Sequence, residues 1–124
     1  CDTVVICDGE VLGKPVDEAD AIRMLKMLSG KTHHVVTGVT LGRGCRYSSF
    51  SVDTAVTFRE LSDQEIKAYV KSGEPMDKAG AYGIQGLGAL LVEKIDGDFY
   101  NVVGLPVSRL AEELHDFLKK VQSK

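Results

Sequence analysis

The stretch from residue 73 to 88 sets the tightest limit on how this chain folds. It carries five of the 13 glycines, with Glu74, Asp77, Lys78, Tyr82 and Gln85 set among them. Glycine reaches positive φ values and lets the backbone come close to a ligand. It also loses more conformational freedom than other residues on folding, so a fold rarely carries so many merely as spacers. Interleaved acid, ammonium and amide groups suit a polar, charged small molecule. The same spacing also serves a loop that only turns the chain, and spacing alone does not separate the two.

Around this segment the chain reads as strands and helices in mixed order. Val4, Val5 and Ile6 form a β-branched run ending at Asp8-Gly9, a favoured hairpin turn, so residues 10–12 return as a short second strand. After the break at Gly13-Lys14-Pro15, Asp17 caps a helix whose apolar stripe is Ala21, Met24, Leu25 and Leu28, with Gly30 at its C-terminal end. Residues 34–41 and 51–58 read as strands joined by a polar loop over 42–49, a long antiparallel hairpin. Val52, Thr54, Val56 and Phe58 share one face of the second strand, Thr54 being its only polar member. Ser62 and Glu65 form a capping box for a helix carrying Ile66, Tyr69 and Val70, and Gly73 ends it. Residues 89–95 read as another strand, with Asp96-Gly97 turning it back into residues 99–103. Pro106 leads into a last helix with Leu110, Leu114, Phe117, Leu118 and Val121 on one face. The hairpins predict a mixed or antiparallel sheet rather than a doubly wound one.

A chain of 124 residues is one domain by length. Its net charge of −3 comes from 18 acids against 15 bases, without the basic excess of a nucleic-acid surface, so a polymer partner is not expected. A bound nucleotide needs only a few local cations and stays open. Cys1, Cys7 and Cys45 are odd in number and lack metal-ligand spacing, which points to a reducing, cytoplasmic setting. No apolar run is long enough to span a bilayer, so no membrane is expected as partner. The first residues run straight into a strand, as in a piece of something longer.

Few residues announce chemistry alone. Asp2 precedes a strand, where a carboxylate serves as general base or metal ligand, although most such acids only solvate a surface. Lys14, held between Gly13 and Pro15, is placed to meet a phosphate or is an ordinary exposed lysine. His33 and His34 face opposite sides of their strand and make no metal site together.

Several segments nevertheless occur together and in order. They are Asp2-Thr3-Val4-Val5, Gly13-Lys14-Pro15, Leu28-Ser29-Gly30, Thr37-Gly38-Val39, the run 73–80, Tyr82-Gly83-Ile84-Gln85-Gly86, Gly97-Asp98 and the run 101–106. This set closely resembles the Maf family of nucleoside triphosphate pyrophosphatases, over nearly the whole chain. The resemblance implies a single Maf-like domain over residues 1–124 with an α/β fold. Its elongated mixed β-sheet would be flanked by helices, around a cleft like that of inosine-triphosphatase-like enzymes. It implies hydrolysis of a nucleoside triphosphate to monophosphate and pyrophosphate, assisted by a divalent cation, normally Mg²⁺. Position by position, Asp2 matches the catalytic acid near the metal and Lys14 the lysine that stabilises phosphate charge. Thr3 and Gln85 match positions of base selection, and Asp77 and Lys78 line the site. The threonine after Asp2 is similar to the branch acting on dTTP and UTP. A 7-methyl-GTP-type specificity is the rival within the same chemistry.

The family's front segment, rich in serine and arginine and holding the triphosphate, has no match here. An N-terminal portion is therefore expected to be absent, cleaved or carried on another chain. A sheet so shortened would expose an edge, which suggests a homodimer. A non-catalytic nucleotide- or protein-binding module is the rival from another class.

Overall fold

Asp8 and Gly9 take φ of 51° and 78°, the two positive values a type I′ turn demands. The chain accordingly reverses there between β1 (Asp2–Cys7) and β2 (Glu10–Leu12). In the computed structural model, which describes residues 1–122, these two strands begin a five-stranded sheet; residues 123 and 124 of the expected domain lie outside the described residues. The other elements are α1 (Glu18–Leu28), β3 (Thr32–Arg43), β4 (Arg46–Phe58), α2 (Asp63–Lys71), β5 (Val92–Asp96), α3 (Phe99–Val103) and α4 (Val107–Gln122). Strand order is β2-β1-β3-β4-β5 and every pairing is antiparallel. Among the described residues, no helix is long and apolar enough to cross a membrane.

Local signals place the first two helices. The Asp17 carboxylate accepts from Asp20 N at 2.8 Å, and Ala21, Met24, Leu25 and Leu28 are buried, as their spacing predicts. Ser62 and Glu65 exchange both bonds of the capping box, and Ile66, Tyr69 and Val70 turn inward. These helices pack on the sheet face that carries Val5, Cys7, Val35, Val56 and Phe58. Each fully buried leucine there contributes about 2 kcal/mol.

Four expectations change. The β3–β4 hairpin has no long polar loop: its strands run to Arg43 and from Arg46, leaving only Gly44 and Cys45 to turn. Its polar residues simply face solvent, as where the Thr40 and Ser49 hydroxyls pair at 2.9 Å. Polarity reports exposure and leaves the backbone ladder intact. Residues 86–91 form a 3-10 turn, so β5 starts at Val92 rather than at residue 89. Residues 99–103 form α3 rather than a return strand. The Asp98 carboxylate caps Tyr100 N at 2.8 Å and Asn101 N at 3.3 Å, a local bond that competes with strand pairing. In α4 the expected apolar stripe is only partly used: Phe117 is buried, whereas Leu114 and Leu118 stay 41% and 37% exposed.

His33 is fully buried between Phe58 and Tyr82, with edge-on ring contacts to both and its Nε2 2.7 Å from the Tyr82 hydroxyl. Burial, with a lesser contribution from His34, pushes its pKa down to about 4. The unfolded chain therefore binds a proton that the folded chain refuses between pH 6.5 and 4. Stability from this group is complete above the unfolded value and is lost as pH falls through that window. At about 1.4 kcal/mol per pH unit the loss is on the order of 3 kcal/mol. Urea unfolding at pH 7 and 4.5 should show it in the wild type and much less of it in His33→Gln. Equal losses in both proteins would contradict this role.

Candidate functional site

The glycine segment is folded on itself before it meets anything else. The Glu74 carboxylate accepts from the backbone N–H of Leu87 and of Gly88, both at 3.2 Å, and from the Tyr69 hydroxyl at 3.0 Å. Tyr69 Oη in turn accepts from Gly83 N at 3.0 Å. A Cβ on Gly88 would lie 1.7 Å from the Gly83 carbonyl oxygen, so the two backbones touch in a way no other residue permits. Glu74 is thus a clamp within the loop, and Tyr82 is a buried partner of His33. Of the polar groups in this segment, Asp77, Lys78 and Gln85 reach a cleft.

That cleft has a volume of about 380 Å³, and all six residues singled out in the sequence line it: Asp2, Thr3, Lys14, Asp77, Lys78 and Gln85. Asp2 begins β1, where it pairs with Gly38 of β3, and Thr3 follows it. Lys14 sits in the turn after β2. Its neighbour Gly13 accepts through its carbonyl from Gly80 N at 3.0 Å, which ties that turn to the glycine segment. A Cβ on Gly80 would meet Val5 at 2.8 Å, so the segment lies directly on β1. These two contacts of Gly80, one to the Gly13 carbonyl and one to the Val5 side chain, hold β1, the turn after β2 and the glycine segment around one cavity.

The charges alternate in sign. Lys78 Nζ lies 3.1 Å from Asp77 Oδ1. This ammonium holds the Asp77 carboxyl below the usual carboxylate range, and Lys14 adds to the effect from further away. The Thr3 hydroxyl, half-buried on the cleft wall, lies 2.9 Å from that of Thr37. Gln85 is exposed at the mouth. Much of the remaining wall is apolar, with Val5, Val35, Ile84, Val102 and Val103 in it. The contribution of α3 went unread because its sequence looked like a strand; Asn101, polar within an apolar run and fully buried, was the available signal.

The donor set bears on a metal. Among the described residues there is no group of three or more His, Cys, Asp or Glu side chains that could hold an ion. Asp2 and Asp77 are the two carboxylates on the cleft. Mg²⁺ is commonly held by one or two carboxylates together with substrate phosphates and water, so this pair fits that mode and not a closed protein cage.

The sequence matches the family described as Maf-like protein over residues 1–117. It is 55% identical over 116 residues to a protein of Bacillus velezensis named dTTP/UTP pyrophosphatase, covering 94% of this chain and 61% of that protein. A protein of the same name from Syntrophomonas wolfei is 57% identical over 112 residues, covering 88% and 59%. One from Bacillus pumilus is 53% identical over 116 residues, covering 94% and 61%. The chain thus spans about three fifths of the length of these curated relatives.

Proposed function

The chain belongs to the Maf family, and from that premise we propose that its cleft serves a nucleoside triphosphate pyrophosphatase acting on dTTP, UTP or modified pyrimidine triphosphates. One observation carries the reading: Asp2, Thr3, Lys14, Asp77, Lys78 and Gln85 line the same cavity. The names of the relatives support the substrate class.

In this reading, water attacks the α-phosphorus and the bond from that phosphorus to the α–β bridging oxygen breaks. The monophosphate and pyrophosphate are the products. The Asp2 carboxylate accepts the proton that the attacking water loses. Lys14 holds its ammonium against charge developing on the phosphoryl oxygens, while Lys78, paired with Asp77, lines the same cleft. A divalent cation, Mg²⁺ by the chemistry of the donors, would be held by Asp2, with Asp77 near, and would offset the charge of the phosphates. Thr3 and Gln85 face the base. The Gln85 amide has a donor and an acceptor for the edge of uracil or thymine. A volume of about 380 Å³ falls at the small end of ligand pockets, with room for a base and sugar.

The test is pyrophosphate release from a panel of triphosphates by the full-length protein with Mg²⁺. Turnover of dTTP and UTP well above 7-methyl-GTP is expected, with loss on chelation. A preference for 7-methyl-GTP would transfer the site to the rival specificity, and no release from any triphosphate would leave a binding module. Within the panel, Gln85→Ala should raise KM for UTP roughly tenfold, the cost of one polar contact, and change kcat less. Unchanged KM would remove Gln85 from base reading.

A further inference from the structure

A chain of hydrogen bonds with a fixed direction runs from the sheet to the cleft wall. The Asn101 carboxamide nitrogen lies 3.0 Å from Val35 O, 2.9 Å from Val52 O and 3.0 Å from Thr54 Oγ1, and its two hydrogens are shared among these three acceptors. This pins α3 onto β3 and β4. The Asn101 backbone carbonyl accepts from Gly104 N at 3.1 Å and from Thr37 Oγ1 at 3.2 Å. A carbonyl has no hydrogen to give, so Thr37 is the donor in that contact. A hydroxyl has one proton and two lone pairs. Both contacts of Thr37 can be hydrogen bonds only if its single proton goes to Asn101. In the 2.9 Å contact between Thr3 and Thr37, Thr37 must then accept and Thr3 must donate. Thr3 has spent its only proton away from the cleft and turns lone pairs toward it.

We propose that Thr37 and Asn101 are positioning residues that hold the Thr3 hydroxyl as an obligate hydrogen-bond acceptor, which selects a base edge offering an N–H. The imide N–H of uracil or thymine supplies such a donor. Cytosine presents a bare ring nitrogen at the same place, so lone pair meets lone pair. The inference rests on the reading of the cleft as a nucleotide site and adds the reason for choosing one pyrimidine over another. Thr37 is fully buried and does not line the cleft; it acts only through Thr3.

Affinities for UMP and CMP, measured by titration calorimetry on the full-length protein, test this without requiring turnover. The wild type should bind UMP about tenfold or more tightly than CMP, since an unmatched polar edge is rejected strongly. Thr37→Val frees the Thr3 proton to rotate toward the ligand, and the ratio should fall to within about threefold. Thr37→Ser keeps the relay and should keep the ratio. Should Thr37→Val fold poorly by its melting temperature, Thr3→Val removes the acceptor at a half-buried position and should also abolish the preference. An undiminished ratio in either valine variant, or no UMP preference in the wild type, overturns the proposal. A UMP preference without pyrophosphate release from UTP would sink the proposed reaction and leave the relay standing.

Discussion

Asp2→Asn in the full-length protein is expected to lower pyrophosphate release from dTTP by about 10²–10⁴-fold, the usual contribution of a positioned general base. The substitution preserves size and shape but removes both the ability to take up a proton and the negative charge that would hold the cation. Asp2 is exposed at the start of β1, so its replacement should leave stability within about 0.5 kcal/mol, as for most surface changes. A loss of rate with an unchanged melting temperature would separate chemistry from folding. Rate within a factor of about three of wild type, against that expected contribution, would take Asp2 out of the proton transfer.

Gly88→Ala should have the largest effect on the fold itself. The added methyl would stand 1.7 Å from the Gly83 carbonyl oxygen and 2.8 Å from both the Gly83 carbonyl carbon and the Tyr69 hydroxyl. Two of these atoms belong to backbone, so no side-chain rotation relieves the overlap. Relief requires pulling the two turns apart, which breaks the bonds from Leu87 N and Gly88 N to Glu74. A loss of about 3–5 kcal/mol is expected, in the range of severe core overpacking combined with lost buried bonds, or roughly 15 °C in Tm. Nucleotide affinity should fall with it, because Gly83, Ile84 and Gln85 form that side of the cleft. Gly38→Ala is the control: nothing lies within 4 Å of a Cβ there, and stability should change by less than about 1 kcal/mol. Equal melting temperatures for the two variants would show that residues 83 and 88 are not in contact.

The elements that were legible in the sequence are those whose signal is local. Asp8-Gly9, Asp17 and the Ser62–Glu65 pair each act within a few residues of themselves, and each does so in the fold. The misread elements depend on distant partners. Residues 86–91 are held in a turn by Glu74, more than ten residues earlier. Residues 99–103 have strand-like composition, but Asn101 finds its acceptors on β3 and β4, and Asp98 closes the first turn. The site shows the same division. No spacing rule joins Asp2, Lys14 and Gln85; a family resemblance brought them together, and the Gly13–Gly80 and Gly80–Val5 contacts are the physical reason they meet. Thr37 stood in the sequence only as part of the segment Thr37-Gly38-Val39, with no role of its own, because it is one threonine among several in a β-branched strand. Only its bond to the Asn101 carbonyl distinguishes it.

In the proposed reaction one cleft reads the base at Thr3 and Gln85 and handles the α-phosphate at Asp2 and Lys14. A crystal structure of the full-length protein with dTMP and Mg²⁺ tests it most directly. The thymine edge is expected within hydrogen-bond distance of Thr3 or Gln85, and the phosphate beside Lys14 and Asp2. Thymine bound elsewhere, or a phosphate turned away from both Asp2 and Lys14, would contradict it.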